Sequence, residues 1–238
     1  MAFQPIVDVQ DGSVYAYEAL VRGPQGESAA SMLAQVNRVN RHAFDQHCRV
    51  KAITLAGRLD LAKSGARLSI NIMPGVVHRT KDCIQLAVET AKRFGFPCER
   101  LIFEISENEE LDNAGQLGFI AKEFRGRGFM VAIDDFGVGT SGLTRLAILP
   151  TDMIKIDMKL TRNLGQRRSA RAIVRCLVEL AKSLGNELVA EGIETVEEYV
   201  ALRRCGVTLM QGYLFARPAF ESLPQITLPP PGPFALAA

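Results

Sequence analysis

Apolar and polar residues recur along this chain in two rhythms, one of period two and one of period three to four, and the two alternate. Residues 3–9 (FQPIVDV) and 14–20 (VYAYEAL) read as strands, and the Asp11-Gly12 pair between them is a hairpin turn signal. A long helical stretch follows at about 41–64. Strand-like runs then return at 67–72, 100–105, 129–134, 153–157, 187–191 and 208–212, with helical periodicity in the gaps. Over 168–184, Ala170, Ile173, Val174, Leu177, Leu180 and Leu184 recur at steps of three and four, which predicts a helix with one apolar face. A hairpin and six strand–helix repeats make eight strands. Repeated β-α units imply parallel strands, and eight of them imply a closed barrel better than an open sheet. The expected fold class is α/β, a (β/α)8 barrel over residues 1–224 with a proline-rich tail at 225–238 and no second domain.

Composition narrows the function classes. Of 238 residues, 47% are hydrophobic and 23% charged, as in an ordinary soluble domain, and the net charge is +2. That balance argues against a DNA or RNA duplex binder or a membrane-surface protein. No apolar run reaches the roughly 20 residues of a membrane span. The start, MAFQPIVDVQ, lacks the basic-then-apolar order of a signal peptide. Five scattered cysteines without a C-x-x-C point to reduced thiols and a cytoplasmic location. With His42 and His47 off the i, i+4 spacing, a histidine-based metal site is not expected.

The polar residues that interrupt the strands carry the chemistry. Glu18, Asn71, Glu104, Asp134, Lys155 with Asp157, Glu191 and Gln211 fall at or near the ends of the second to eighth strands. In a parallel barrel those ends share one rim, and the rim bears the active site. One glutamate at a strand end is usually a helix cap or a solvated residue; seven strand ends in agreement are a site. Glu18, Glu104, Asp134, Asp135 and Glu191 would crowd five acids together, and mutual repulsion would raise their pKa values. Oxygen ligands suit Mg²⁺ or Mn²⁺, and five carboxylates exceed the needs of one cation, so two divalent cations are expected.

Residues 130–143, MVAIDDFGVGTSGL, read three ways. Asp135-Phe136-Gly137 spells the D-F-G of protein kinases, but no H-R-D loop or V-A-I-K strand accompanies it. Gly137, Gly139 and Gly142 spell G-x-G-x-x-G, yet two acids stand where a pyrophosphate would dock. The third reading, a metal-binding strand end followed by a mobile glycine loop, fits the rest of the rim.

At this point the motifs resemble a family. Glu18-Ala19-Leu20 followed by Arg22 resembles the signature of EAL domains, bacterial phosphodiesterases acting on cyclic di-GMP. The blocks FQPIVD (3–8), SIN (69–71), FEISE (103–107), IDDFGVGTSGL (133–143), LPTDMIKID (149–157), AEGIET (190–195) and QGYLFARP (211–218) are similar in the same order, over about residues 3–220. The resemblance implies a modified TIM-like barrel whose first strand runs antiparallel, in keeping with the hairpin. It implies metal ligands at Glu18, Asn71, Glu104, Asp134, Asp135 and Glu191, with Asp134 bridging two cations. It further implies that Lys155 positions the attacking water, that Glu191 acts as general base and that Gln211 lies near the water. Gln4, Leu20 and Arg22 match substrate contacts, Glu107 anchors the loop after the fifth strand, and Asp157 and Glu194 match supporting positions.

Two departures accompany the match. The family's loop is close to D-D-F-G-T-G-Y-S-S-L, whereas this chain has Val138, Thr140 and Gly142 at three of those places. The tryptophan-histidine-proline run usual after the arginine is replaced by GPQGESAASML, which resembles a subset found with BLUF photosensors. Two functional readings follow: a metal-dependent hydrolase opening cyclic di-GMP to linear 5′-pGpG, and a catalytically weak or inactive cyclic di-GMP receptor or protein-binding module. All the rim acids are present, which favours the enzyme. The implied partners are cyclic di-GMP, a second copy of the chain in a homodimer, and an upstream sensory domain or protein regulator.

Overall fold

The computed structural model describes residues 1–73, 80–107, 114–139 and 141–230. β1 (Ala2–Asp8) and β2 (Ser13–Leu20) form the antiparallel hairpin, with Gln4 opposite Glu18. Asp11 Oδ1 accepts from Ser13 N at 2.8 Å inside the turn, the local bond that makes Asp-Gly a hairpin signal. From β2 the sheet runs in parallel through β3 (Arg67–Asn71), β4 (Leu101–Ser106), β5 (Met130–Phe136), β6 (Met153–Ile156), β7 (Glu187–Ala190) and β8 (Leu209–Gln211). β1 closes the barrel by pairing antiparallel with both β2 and β8, so the first strand runs against the other seven. All eight expected strands are present. A ninth, β9 (Ala219–Phe220), adds to β1 outside the barrel.

The helices pack around this wall: α1 (Ala29–Leu33), α2 (Arg41–Arg58), α3 (Leu61–Ser64), α4 (Thr80–Arg93), α5 (Ala114–Gly126), α6 (Gly142–Ile148), α7 (Met158–Thr161), α8 (Arg168–Leu184) and α9 (Val196–Cys205). The single helix expected over 41–64 is broken, because Asp60 turns left-handed at φ 56 and Leu61 restarts the helix fully buried. α8 has the expected span but a narrower buried arc. Ala170, Val174, Leu177, Val178 and Ala181 face the core, while Ile173 and Leu184 stay about half exposed. The apolar stripe is wider than the face that the barrel can cover.

Strand parity sorts the core into two compartments. Phe103, Phe124 and Phe129 pack outside the barrel wall, with ring centroids 4.7 to 6.0 Å apart, in the layer between strands and helices. Inside, Ile6, Ala16, Ile102, Ala132, Met153, Val189 and Leu209 form a separate plug. Two residues further on, and so on the same side of each strand, stand Glu18, Glu104, Asp134, Lys155, Glu191 and Gln211. The same spacing, run backwards in the antiparallel β1, leads from Ile6 to Gln4. An apolar floor thus carries a polar layer directly above it. The chain returns to the barrel after β9: Pro224 O accepts from Tyr17 Oη at 3.2 Å, Thr227 N donates to Phe215 O at 3.0 Å, and Leu223 and Ile226 pack on the core. The expected tail at 225–238 thus begins on the barrel surface, and residues 231–238 lie outside the described residues.

Candidate active site

Lys155 is the centre of the polar layer. Its Nζ lies 2.6 Å from Glu191 Oε1, 2.9 Å from Glu104 Oε1, 3.0 Å from Asp134 Oδ1 and 3.5 Å from Glu18 Oε2, and the side chain is 1% exposed. Two amides and a hydroxyl orient the outer acids. Asn71 Nδ2 donates to Glu18 Oε1 at 2.8 Å, Gln211 Nε2 to Glu18 Oε2 at 2.9 Å, and Ser69 Oγ to Glu104 Oε1 at 2.5 Å. Burial opposes charge on the lysine, but Asp134, Glu104, Glu18 and Glu191 outweigh it and hold the ammonium well above the ordinary lysine range. Burial also pushes the Glu104 carboxyl up to about 8 against the pull of Lys155, and raises Asp134 and Glu191 in the same way. Glu18 is the exception: Lys155, Gln211 and Asn71 together overcome its burial and lower it.

Consecutive residues of a regular strand point to opposite faces, yet Asp134 and Asp135 both reach the mouth. The pairing of β5 with β6 is irregular between Ile133 and Phe136, and Asp135 adopts φ 58. This bulge turns Asp135 inward, so that carboxylate oxygens of Asp134, Asp135 and Glu191 lie within 4.8 Å of one another. Ser106 Oγ donates to Asp135 Oδ2 at 3.3 Å. Glu107, 1% exposed, accepts from Gly137 N at 2.6 Å through Oε2, and its own N–H donates to Asp134 O at 2.8 Å. The glycine loop is thereby tied to the end of β4. Thr140 lies outside the described residues, and Val138 N donates to Asp135 O at 3.2 Å.

The mouth is a cavity of about 410 Å³ lined by Gln4, Glu18, Asp134, Asp135, Asp157, Glu191, Glu194 and Gln211 among others. Leu20 and Arg22 are not in that lining; the Arg22 guanidinium donates to Val21 O at 2.7 Å. Asp157 caps α7 by accepting from Lys159 N at 2.8 Å, and Glu194 is held by Arg162 at 2.9 Å. Sequence reasoning missed Met158 and Tyr213, which also line the cavity, Tyr213 with the Arg217 guanidinium 4.4 Å above its ring. The Gln211-Gly212-Tyr213 run held a usable signal. A Cβ on Gly212 would lie 2.0 Å from Ile193 O, so only glycine lets Tyr213 follow Gln211 at that bend.

The donor set fits hard divalent cations. It is all oxygen, and two of its buried oxygens, Glu104 Oε2 and Asp134 Oδ1, lack hydrogen-bond partners among the described residues. Asp134 Oδ1 does face Lys155 Nζ at 3.0 Å as an ion pair. Cations there would offset the burial that raises the Glu104 and Glu191 carboxyls.

Fold and rim together define a β/α-barrel protein with a carboxylate-rich mouth of the kind that holds hard cations. The chain belongs to the EAL domain family, whose model matches residues 1–218. It is similar to the blue light- and temperature-regulated antirepressor BluF of Escherichia coli, 29% identical over 96% of this chain and 56% of the relative. It is also similar to the cyclic di-GMP phosphodiesterase PA2567 of Pseudomonas aeruginosa, 30% identical over 92% of this chain and 38% of the relative. The chain therefore spans about half or less of those two relatives. Among solved structures, a standalone versatile EAL protein from Vibrio cholerae O395 in its c-di-GMP bound form superposes with a TM-score of 0.91, at 44% identity over 95% of this chain and 94% of that one. Klebsiella pneumoniae BlrP1 in a calcium/cyclic di-GMP complex gives a TM-score of 0.89, at 35% identity over 94% of this chain and 57% of that one.

Proposed function

We propose that this chain is a phosphodiesterase that hydrolyses one P–O bond of cyclic di-GMP and releases linear 5′-pGpG. The observation that carries the reading is the convergence of Glu18, Glu104, Asp134 and Glu191 on Lys155 above an apolar floor. Glu18, Asn71, Glu104, Asp134, Asp135 and Glu191 would hold two cations, Mg²⁺ or Mn²⁺. When bound, these would neutralise the carboxylates, acidify water and stabilise charge on the phosphoryl group. Lys155 orients the attacking water, and Glu191, whose Oε1 lies 2.6 Å from Lys155 Nζ, takes the water's proton. As oxygen adds to phosphorus, the P–O3′ bond breaks and the departing oxygen collects a proton from solvent. Gln4 and Gln211 face the substrate within the mouth, and Arg22 holds phosphate once its guanidinium leaves Val21 O.

The partners and location follow from the same reading. A homodimer is supported by Phe119, Leu143 and Ile148, which are exposed on the neighbouring helices α5 and α6, the second of which follows the glycine loop. A sensory domain or regulator protein supplies the signal, as the greater length of the two relatives suggests. Among the described residues no helix is long and apolar enough to cross a membrane, and a cytoplasmic location suits the substrate. A second reading, a weakly catalytic or inactive receptor or regulatory module, is favoured by the altered loop at Val138 and Gly142 and by similarity to a protein named as an antirepressor. Incubating the purified protein with cyclic di-GMP and Mn²⁺ or Mg²⁺ and following pGpG by chromatography separates the two. Tight binding without product would select the second.

A further inference from the structure

Glu191 stands one residue beyond the end of β7, so its orientation depends on more than the sheet. Its N–H still donates to Ile156 O at 3.0 Å. Its carbonyl is taken from outside the barrel by Thr161, 1% exposed, whose Oγ1 donates to Glu191 O at 2.9 Å. The two residues after Thr161 continue this contact. Arg162 Nη2 donates to Glu194 Oε1 at 2.9 Å and Nη1 to Glu198 Oε1 at 3.4 Å. Asn163 N donates to Glu198 Oε1 at 3.1 Å, and Glu194 N to Glu198 Oε2 at 3.1 Å. Glu198 is 2% exposed. One buried carboxylate therefore collects donors from the end of α7 and from the turn after β7, with Arg162 as its cation. Between them, Gly192 at φ +69 leaves no room for a side chain: a Cβ there would lie 2.4 Å from Met158 Cβ.

The linked segments follow the two strands that deliver the reacting groups: Arg162 and Asn163 come after Lys155 by way of Asp157 and α7, and Glu194 follows Glu191. Holding them together adds to the β6–β7 pairing that keeps Glu191 beside Lys155. We propose that Arg162 is a positioning residue for Glu191, acting through Glu194 and Glu198, so that metal uptake and turnover depend on a guanidinium that is not among the residues lining the cavity. The proposal rests on the phosphodiesterase reading for its kinetic part only. Arg162 fits the task because its rigid planar fork holds two carboxylates in a fixed mutual geometry, whereas a lysine is a point charge on a flexible stem. Partners that orient metal-binding groups from behind typically change metal affinity or activity by about 10- to 100-fold when removed.

The experiment compares parent, Arg162→Lys, Arg162→Gln and the double variant Arg162→Gln/Glu198→Gln. Each is measured by thermal melting, Mn²⁺ calorimetry and cyclic di-GMP hydrolysis. Arg162→Gln weakens Mn²⁺ binding by about tenfold or more and lowers kcat by a similar factor, with KM within about twofold. Arg162→Lys is intermediate and carries the test if Arg162→Gln fails to fold. The double variant removes the uncompensated buried charge, so its melting temperature recovers while its Mn²⁺ affinity stays low. Parent-like affinity and kcat in the single variants, or affinity that recovers together with melting in the double variant, overturns the proposal. A parent that binds Mn²⁺ without hydrolysing cyclic di-GMP sinks the phosphodiesterase reading and leaves Arg162 to be judged on Mn²⁺ affinity alone. A parent that takes up no Mn²⁺ overturns both.

Discussion

Lys155 Nζ sits 2.6 Å from Glu191 Oε1 in a layer where Glu104, Asp134 and Glu18 also face the same ammonium within 3.5 Å. One buried cation thus offsets four acids when no metal is bound. Replacing it leaves those acids uncompensated, a change that typically costs about 3–5 kcal/mol. Lys155→Met is expected to melt well below the parent in EDTA and to recover much of the difference in Mn²⁺. It should remain slow in hydrolysis even when loaded. Equal melting of the two proteins in EDTA would show that Lys155 does not hold the acids together.

Asp134 faces the lysine at 3.0 Å and shares one cluster of carboxylate oxygens with Asp135 and Glu191. Asp134→Asn keeps the shape and removes the charge that hard cations require. Hydrolysis should fall by at least about 100-fold, the upper range seen when even an indirect partner of a metal is removed. Near-parent rates at saturating Mn²⁺ would exclude a bridging role.

Glu107 lines none of the cavity, yet it accepts from Gly137 N at 2.6 Å behind Asp135. Glu107→Ala deletes a charge-assisted hydrogen bond, a loss of about 1.5–3 kcal/mol. The loop should loosen, and the Mg²⁺ concentration for half-maximal hydrolysis should rise. A Mg²⁺ titration identical to the parent's would leave the glycines as plain turn residues.

Burial raises Glu104 to about 8 and raises Asp134 and Glu191 in the metal-free protein. A carboxyl raised on folding binds more protons in the native state than in the unfolded one, so stability falls as pH rises from the ordinary carboxylate range toward 8. Metal binding must expel the same protons. The metal-free melting temperature is therefore expected to decline from about pH 5 to 8, and Mn²⁺ affinity to rise across that window. Calorimetry in buffers of different ionisation enthalpy should record net proton release. An affinity independent of pH would mean that the acids are ionised before metal arrives.

Much of this was local and so legible in the chain. A polar residue two places after an apolar one at each strand end needs only the period of a β-strand to be read as a rim above a floor, and Ala16/Glu18, Ile102/Glu104 and Met153/Lys155 all obey it. The hairpin, the strand–helix alternation and the Glu18-Ala19-Leu20 motif were local in the same sense. Tertiary structure decided the rest, because it depends on contacts between distant segments or on backbone angles that composition does not encode. Asp135 turns inward only because β5 bulges against β6. Ile173 and Leu184 stay exposed because the barrel covers a narrower arc of α8 than the apolar stripe offers. Arg162 finds Glu194 and Glu198 more than thirty residues away, and Tyr213 reaches the mouth by a bend that Gly212 alone permits. Periodicity specifies which face a residue takes on its own element; only the closed register of eight strands specifies what that face meets.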